Sequence, residues 1–113
     1  MSKAWKRPGG KPVEFQVAPS GRAACGHCEK KIDMGDLKIV KPDFIELPTG
    51  RTIAGNVSFH LGCILNDEHG LEVVKEAVTR LTPTLIDDSR DVLSEFTDTL
   101  PDGEVKEILV KLL

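Results

Sequence analysis

Between Val13 and Val17 apolar and polar residues alternate, with Val13, Phe15 and Val17 in phase, which is the period of a short half-buried strand. Ala18-Pro19-Ser20-Gly21 then reads as a turn. A second apolar stretch, Leu37-Lys38-Ile39-Val40, stops at Lys41-Pro42. A third candidate strand, Asn56-Val57-Ser58-Phe59, follows a loop through Pro48, Gly50 and Gly55. Beyond His60 the period becomes helical. Leu71, Val74, Val78 and Leu81 recur at spacings of three and four and so share one helix face. Thr82-Pro83 predicts an N-cap followed by proline at the first helical position, with Asp87 and Asp88 near that end and Leu85, Val92, Phe96 and Leu100 as the stripe. Pro101-Asp102-Gly103 breaks the pattern before a last helix carrying Val105, Ile108, Leu109 and Leu112. These stripes suit either the core of a small helical unit or a surface for a protein partner or a second copy. Both uses require the same spacing.

The 113 residues fit one ordinary domain and leave no room for a large catalytic unit beside a binding module. The core has little aromatic bulk to draw on, with one Trp, four Phe and no Tyr. Residues 1–12 hold Pro8, Gly9, Gly10 and Pro12 among basic residues, which predicts a flexible basic arm. No apolar run approaches the roughly 18 residues of a membrane span, and the N-terminal residues lack the apolar stretch of a signal peptide. The expectation is a chain outside the membrane and inside the cell, nuclear if eukaryotic and cytoplasmic if prokaryotic. In such a compartment thiols stay reduced, so the three cysteines suit thiolate or metal chemistry better than disulfides.

The net charge of −3 conceals an asymmetry. Residues 1–63 carry ten Lys and Arg against six Asp and Glu, whereas residues 64–113 carry five against twelve. A +4 front half and a −7 back half suggest two functional surfaces.

Cys25-Gly26-His27-Cys28 offers two thiolates two residues apart, and His60-Leu61-Gly62-Cys63 offers an imidazole and a third thiolate at the same separation. Cys25, Cys28, His60 and Cys63 form a Cys3His set, the soft-sulfur and imidazole tetrahedron of structural zinc. One structural Zn2+ would use all three cysteines and leave no open position for a catalytic water. His60 and Cys63, three apart, would share a face if a helix starts there. Two other readings compete with the metal site. The cysteines could be ordinary buried thiols beside a surface histidine, or Cys25 and Cys28 could be the redox pair of a thiol oxidoreductase. Against the redox pair, a thioredoxin-like site follows an apolar strand and opens a long helix, whereas Pro19-Ser20-Gly21-Arg22 precedes these cysteines and Gly35 follows soon after. His27 and His69 are spare histidines. Together these readings predict an α+β chain, a small zinc-bound antiparallel-sheet finger over residues 13–65 followed by an acidic helical segment over 66–113.

At Ser20-Gly21-Arg22-Ala23-Ala24-Cys25-Gly26-His27-Cys28 the sequence resembles the PARP-type zinc finger of poly(ADP-ribose) polymerases and of a DNA ligase. Ile32, Leu37 and Lys38 follow in the expected places, and His60 with Cys63 closes the pattern. The likeness covers about residues 13 to 65. It implies recognition of DNA breaks or ends, with Arg22 and Lys38 gripping phosphate and apolar side chains of the long loop stacking on the exposed base pair. Cations fix the phosphodiester backbone and stacking reads an exposed base face without reading sequence. The 31 residues between Cys28 and His60 are more than the family pattern holds, so the loop from Lys41 to Gly55 is not aligned residue by residue. Phe44, Ile45, Leu47 and Ile53 are its stacking candidates. No ADP-ribosylating or ligating domain fits, which implies a binding module rather than an enzyme. A zinc-stabilised protein-interaction adaptor, using the acidic helices, is the alternative.

Overall fold

The computed structural model describes Pro8 and residues 12–113, so most of the predicted basic arm lies outside the described residues. Three antiparallel strands, β1 (Glu14–Val17), β2 (Leu37–Glu46) and β3 (Thr52–His60), form a sheet in the order β1-β2-β3. Four helices follow: α1 (Leu61–Ile64), α2 (Gly70–Val78), α3 (Pro83–Thr99) and α4 (Glu104–Leu112). The architecture is the α+β arrangement expected from the sequence. Among the described residues no helix is long and apolar enough to cross a membrane.

Two strands are longer than the hydrophobic pattern predicts. β2 runs through Lys41-Pro42 to Glu46, and β3 begins at Thr52, so most of the predicted loop is a hairpin ribbon closed by Leu47–Arg51. Among the described residues the β1 ladder covers only Leu37–Val40 of β2, so Pro42 lies outside it and pairs with Asn56 of β3. Gly50 turns the ribbon at φ 85°, a left-handed conformation natural to glycine. Gly55 is a strand residue over which the Ile45 side chain lies so closely that an added Cβ would collide with it. The ribbon continues past β1 through Lys41, Pro42 and Asp43, which interrupt the apolar alternation, so alternation alone under-reads it.

One hydrophobic cluster joins sheet and helices. Val13, Phe15, Ile32, Ile39 and Phe59 from the front of the chain meet Ile64, Val73, Val74, Ala77, Leu93, Phe96, Leu100 and Leu109 from the back. The Phe15 and Phe96 rings meet edge to face at 6.1 Å, linking β1 to α3. Each fully buried Ile or Leu contributes about 1.5–3 kcal/mol relative to exposure, so the acidic helices are part of what holds the sheet.

The helix faces differ in detail from the predicted stripes. Leu71 and Val92 are exposed, while Val73, Ala77, Ile86 and Leu93 are buried in their stead. In α3 the cause is local: Ser89 leaves helical geometry at φ −120°, ψ 18°, and a stripe counted with one phase across residues 83–99 fails there. The predicted start of α3 is borne out, since Thr82 accepts a hydrogen bond from Leu85 N at 3.2 Å and Pro83 opens the helix. In α4 Leu109 is buried and Leu112 is exposed.

A buried ammonium fixes the hairpin base. Lys41, only 5% exposed, donates from Nζ to Asp67 Oδ2 at 3.0 Å and lies 3.4 Å from Asp43. Asp67 also accepts from His69 N at 3.0 Å, which ties the entrance of α2 to the sheet. Removing Asp67 takes away the shorter of the two carboxylate contacts of a buried ammonium, and because Asp67 retains some solvent contact Asp67→Ala should cost about 2–3 kcal/mol in urea unfolding. Asp43→Ala, which removes the longer contact, should cost less than half as much.

Candidate metal centre

The two halves of the ligand set arrive from different parts of the chain. Cys25 and Cys28 sit in a turn braced by Cys25 N to Lys30 O at 2.9 Å, Glu29 N to Cys25 O at 3.0 Å and Ile32 N to Ala23 O at 2.9 Å. Glu29 occupies the left-handed region at φ 64°, which lets the turn reverse just after the second cysteine. The turn docks on the end of β3 through a Cys25–Ser58 bridge, with Gly26 N donating to Ser58 O at 2.8 Å. Gly26 is required by this approach, because a Cβ there would lie 3.1 Å from the Phe59 ring and closer still to Val57. His60 ends β3 and is the N-cap of α1, whose single turn brings Cys63 back beside it. The predicted helical start is thus present, only four residues long.

The four ligand atoms all lie within 4.8 Å of one another. Cys28 Sγ is 3.3 Å and Cys63 Sγ 4.0 Å from His60 Nδ1. Zinc–sulfur bonds of about 2.3 Å and zinc–nitrogen bonds of about 2.0 Å at tetrahedral angles place donors roughly 3.5–3.8 Å apart, so this spacing suits one ion. The other imidazole nitrogen settles the tautomer: His60 Nε2 is 3.3 Å from the Lys31 carbonyl, so Nε2 carries the hydrogen and Nδ1 presents its lone pair to the thiols. Cys25 is buried and Cys28 and Cys63 are half-buried, a largely closed site that fits one structural zinc ion.

Electrostatics without the ion are uneven. Burial pushes the Cys25 thiol up, but N–H groups of Cys28, His27 and His60 and the His60 side chain outweigh it, drawing the pKa from 9.0 to about 6. His27 N and His60 N each lie 3.5 Å from Cys25 Sγ. Cys63 moves the other way, to about 11: burial, a hydrogen bond with Cys25 and the negative charge of Cys25 and Cys28 all favour its neutral form. A cation between the sulfurs reverses this penalty, since thiolates ligate and thiols do not.

The remaining site candidates are scattered. Arg22, three residues before Cys25, is exposed and makes no hydrogen bond or ion pair among the described residues. Lys38 is 7% exposed, stands opposite His60 in the sheet and donates from Nζ to Ser58 Oγ at 3.0 Å. Phe44 and Ile53 are 49% and 42% exposed on the ribbon, while Ile45 and Leu47 are half-buried. Ile45 faces Ile53 directly, and Phe44 faces Ala54 on the other side. His27 is exposed, and His69 caps α2 between Glu68 and Glu72. The element after Cys28 is β2, not the long helix that a thioredoxin-like pair opens. Neither Ser58 as the partner of Lys38 nor Lys31 O as the brace of His60 is visible in the sequence, because both contacts form only when the cysteine turn and the strands have come together. Searches against protein-family models and against curated proteins found no match.

Purified protein should hold one zinc per chain by elemental analysis, and Cys63→Ser should abolish tight binding and most of the finger's thermal stability. At pH 7 Cys63 must surrender its proton to bind, so zinc binding should release about one proton or more, read by calorimetry in buffers of different ionisation enthalpy. In metal-free protein the depressed Cys25 pKa stabilises the fold above pH 9, and that contribution fades as pH falls towards 6. The raised Cys63 pKa does the opposite, contributing below pH 9 and fading as pH climbs towards 11. Zinc affinity itself should rise as pH increases through this range. Glu29→Gly should stabilise the turn or leave it unchanged, within about 1 kcal/mol, because only glycine adopts this φ without steric cost.

Proposed function

We propose that this zinc-binding module grips nucleic-acid phosphate, and that its ligand is duplex DNA at a nick or end. The observation that carries the reading is Lys38. Buried cations in proteins are paired, since desolvating an unpaired charge is costly, and Lys41 obeys the rule through Asp67 and Asp43. Among the described residues Lys38 has only a neutral hydroxyl, Ser58 Oγ, for its three donor hydrogens. A phosphate oxygen would complete it. The unpaired Arg22 guanidinium lies just ahead of the Cys25–Cys28 turn that docks beside Ser58, so both cations belong to the metal-organised end of the sheet.

Phosphate contact alone does not select a break. The ribbon supplies a second element: on a hairpin that extends past β1, Phe44 projects a half-exposed ring on the sheet face that carries Lys38, while Ile53 lies on the opposite face. An aromatic or aliphatic face offered to the terminal base pair gains stacking only where the duplex is interrupted. The resemblance to the PARP-type finger at residues 20–38 and 60–63 supports the same assignment. The acidic helices lie behind this surface in the sense that they cover the other partners of the core, and their carboxylates would repel DNA.

Nicked, blunt-ended and closed circular duplexes, titrated at several salt concentrations, test the reading. Tighter binding to nicked and ended duplexes than to closed circles is expected; equal and negligible affinity for all three would sink it. Lys38→Met and Arg22→Ala should each weaken binding on every sequence and lower the salt slope by roughly one. Phe44→Ala should erase the preference for interrupted duplex and leave the salt slope unchanged. Lys38→Met should keep the melting temperature. If it instead loosens zinc and leaves DNA binding intact, the lysine serves the metal rather than phosphate.

A further inference from the structure

The short helix between the metal ligands also walls a groove that DNA binding does not use. Two adjoining surface cavities of about 210 and 250 Å³ share Leu61 of α1 and Val92 of α3. Phe96, Leu37 and Leu61 are buried along its apolar floor, and Val92, 44% exposed, stands at the junction. Gly62 forms part of the wall with open space before its Cα. Asp36, Asp88 and Glu95 line the two cavities, and Asp91 and Asp98 extend the acidic face along α3. Among the described residues none of these five carboxylates makes an ion pair, and the one arginine of α3, Arg90, is engaged by Asp87 and the Leu113 carbonyl.

An apolar floor with an uncompensated anionic rim fits one kind of occupant. We infer that the α1–α3 groove docks a lysine- and arginine-rich segment of a partner protein carrying one aliphatic side chain, which seats against Leu61, Val92 and Phe96. The rim attracts and orients the cationic flanks, and burying the aliphatic anchor supplies the affinity that surface charge pairs lack. A nucleic acid is repelled by the same carboxylates, so this face and the Lys38 end recognise opposite charges. Because Leu61 and Gly62 lie between the ligands His60 and Cys63, the metal that fixes α1 also fixes the groove wall.

The test uses the zinc-loaded chain and three synthetic heptapeptides: KRKLRKR, its variant with glycine for the central leucine, and an all-glutamate counterpart of the first around the same leucine. Nuclear magnetic resonance titration should show the leucine peptide moving the signals of Leu61, Val92 and Phe96, with the glycine peptide binding roughly tenfold more weakly or worse and the acidic one not at all. Val92→Lys fills the junction with a like charge on an exposed site, and it should abolish binding while zinc content and melting temperature hold. Equal affinity for the leucine and glycine peptides would reduce the face to diffuse charge and overturn the groove. Undiminished binding by Val92→Lys, or no binding of the leucine peptide at millimolar concentration, would overturn it as well. Arg22→Ala should leave peptide binding intact, which separates failure of this inference from failure of the DNA reading.

Discussion

Everything at the front of this chain hangs on bringing a turn at Cys25–Cys28 against a strand end at His60 and a helical turn at Cys63. Those segments are far apart in sequence, and they meet where Cys25, Phe59, Leu61 and Ile64 join the shared core. Three converging sulfurs repel one another once ionised, as the opposite displacements of Cys25 and Cys63 display. A divalent cation at their centre converts that repulsion into cohesion. The hydrogen bond from His60 Nε2 to Lys31 O and the docking of Gly26 on Ser58 aim the donors before an ion arrives, so less reorganisation is needed on binding.

The remainder of the fold is organised around the same corner. β1 holds only the first four residues of β2, and beyond them the hairpin is a two-stranded ribbon, which is marginal in isolation. Lys41 with Asp43 and Asp67 anchors its base to the approach of α2, and on the same face of the sheet the helices close through Phe15, Phe96 and Leu93. The metal would join segments that the same core also buries, an addition expected to matter where a small chain has few aromatic residues.

Two charged faces follow from this arrangement. Among the described residues, Lys38 at the metal end is held in the sheet with a neutral partner and Arg22 has no ion pair. Among the same residues a run of α3 carboxylates makes no ion pair along an apolar groove. If both proposed surfaces bind their ligands, their opposite charges keep those ligands apart, and α1, whose ends carry the metal ligands His60 and Cys63, borders the groove.

The sequence by itself determined the ligand set, because paired donors at fixed short spacing have few other uses, and it determined the start of α3, because Thr82-Pro83 acts within one turn. It also established the α+β order and the asymmetry of charge. Tertiary structure alone decided the length of the ribbon, since β2 and β3 stay paired through Lys41-Pro42 to Glu46, and the face of α3, since a backbone break at Ser89 shifts the phase. It decided the fate of the two β2 lysines as well. In the sequence Lys41 only marks the end of an apolar stretch and Lys38 is a phosphate candidate by resemblance; strand register buries both, giving Lys41 its carboxylates and Lys38 a hydroxyl. Local pattern encodes what neighbouring residues do to one another; partners that meet across the sheet are set only when the chain has closed.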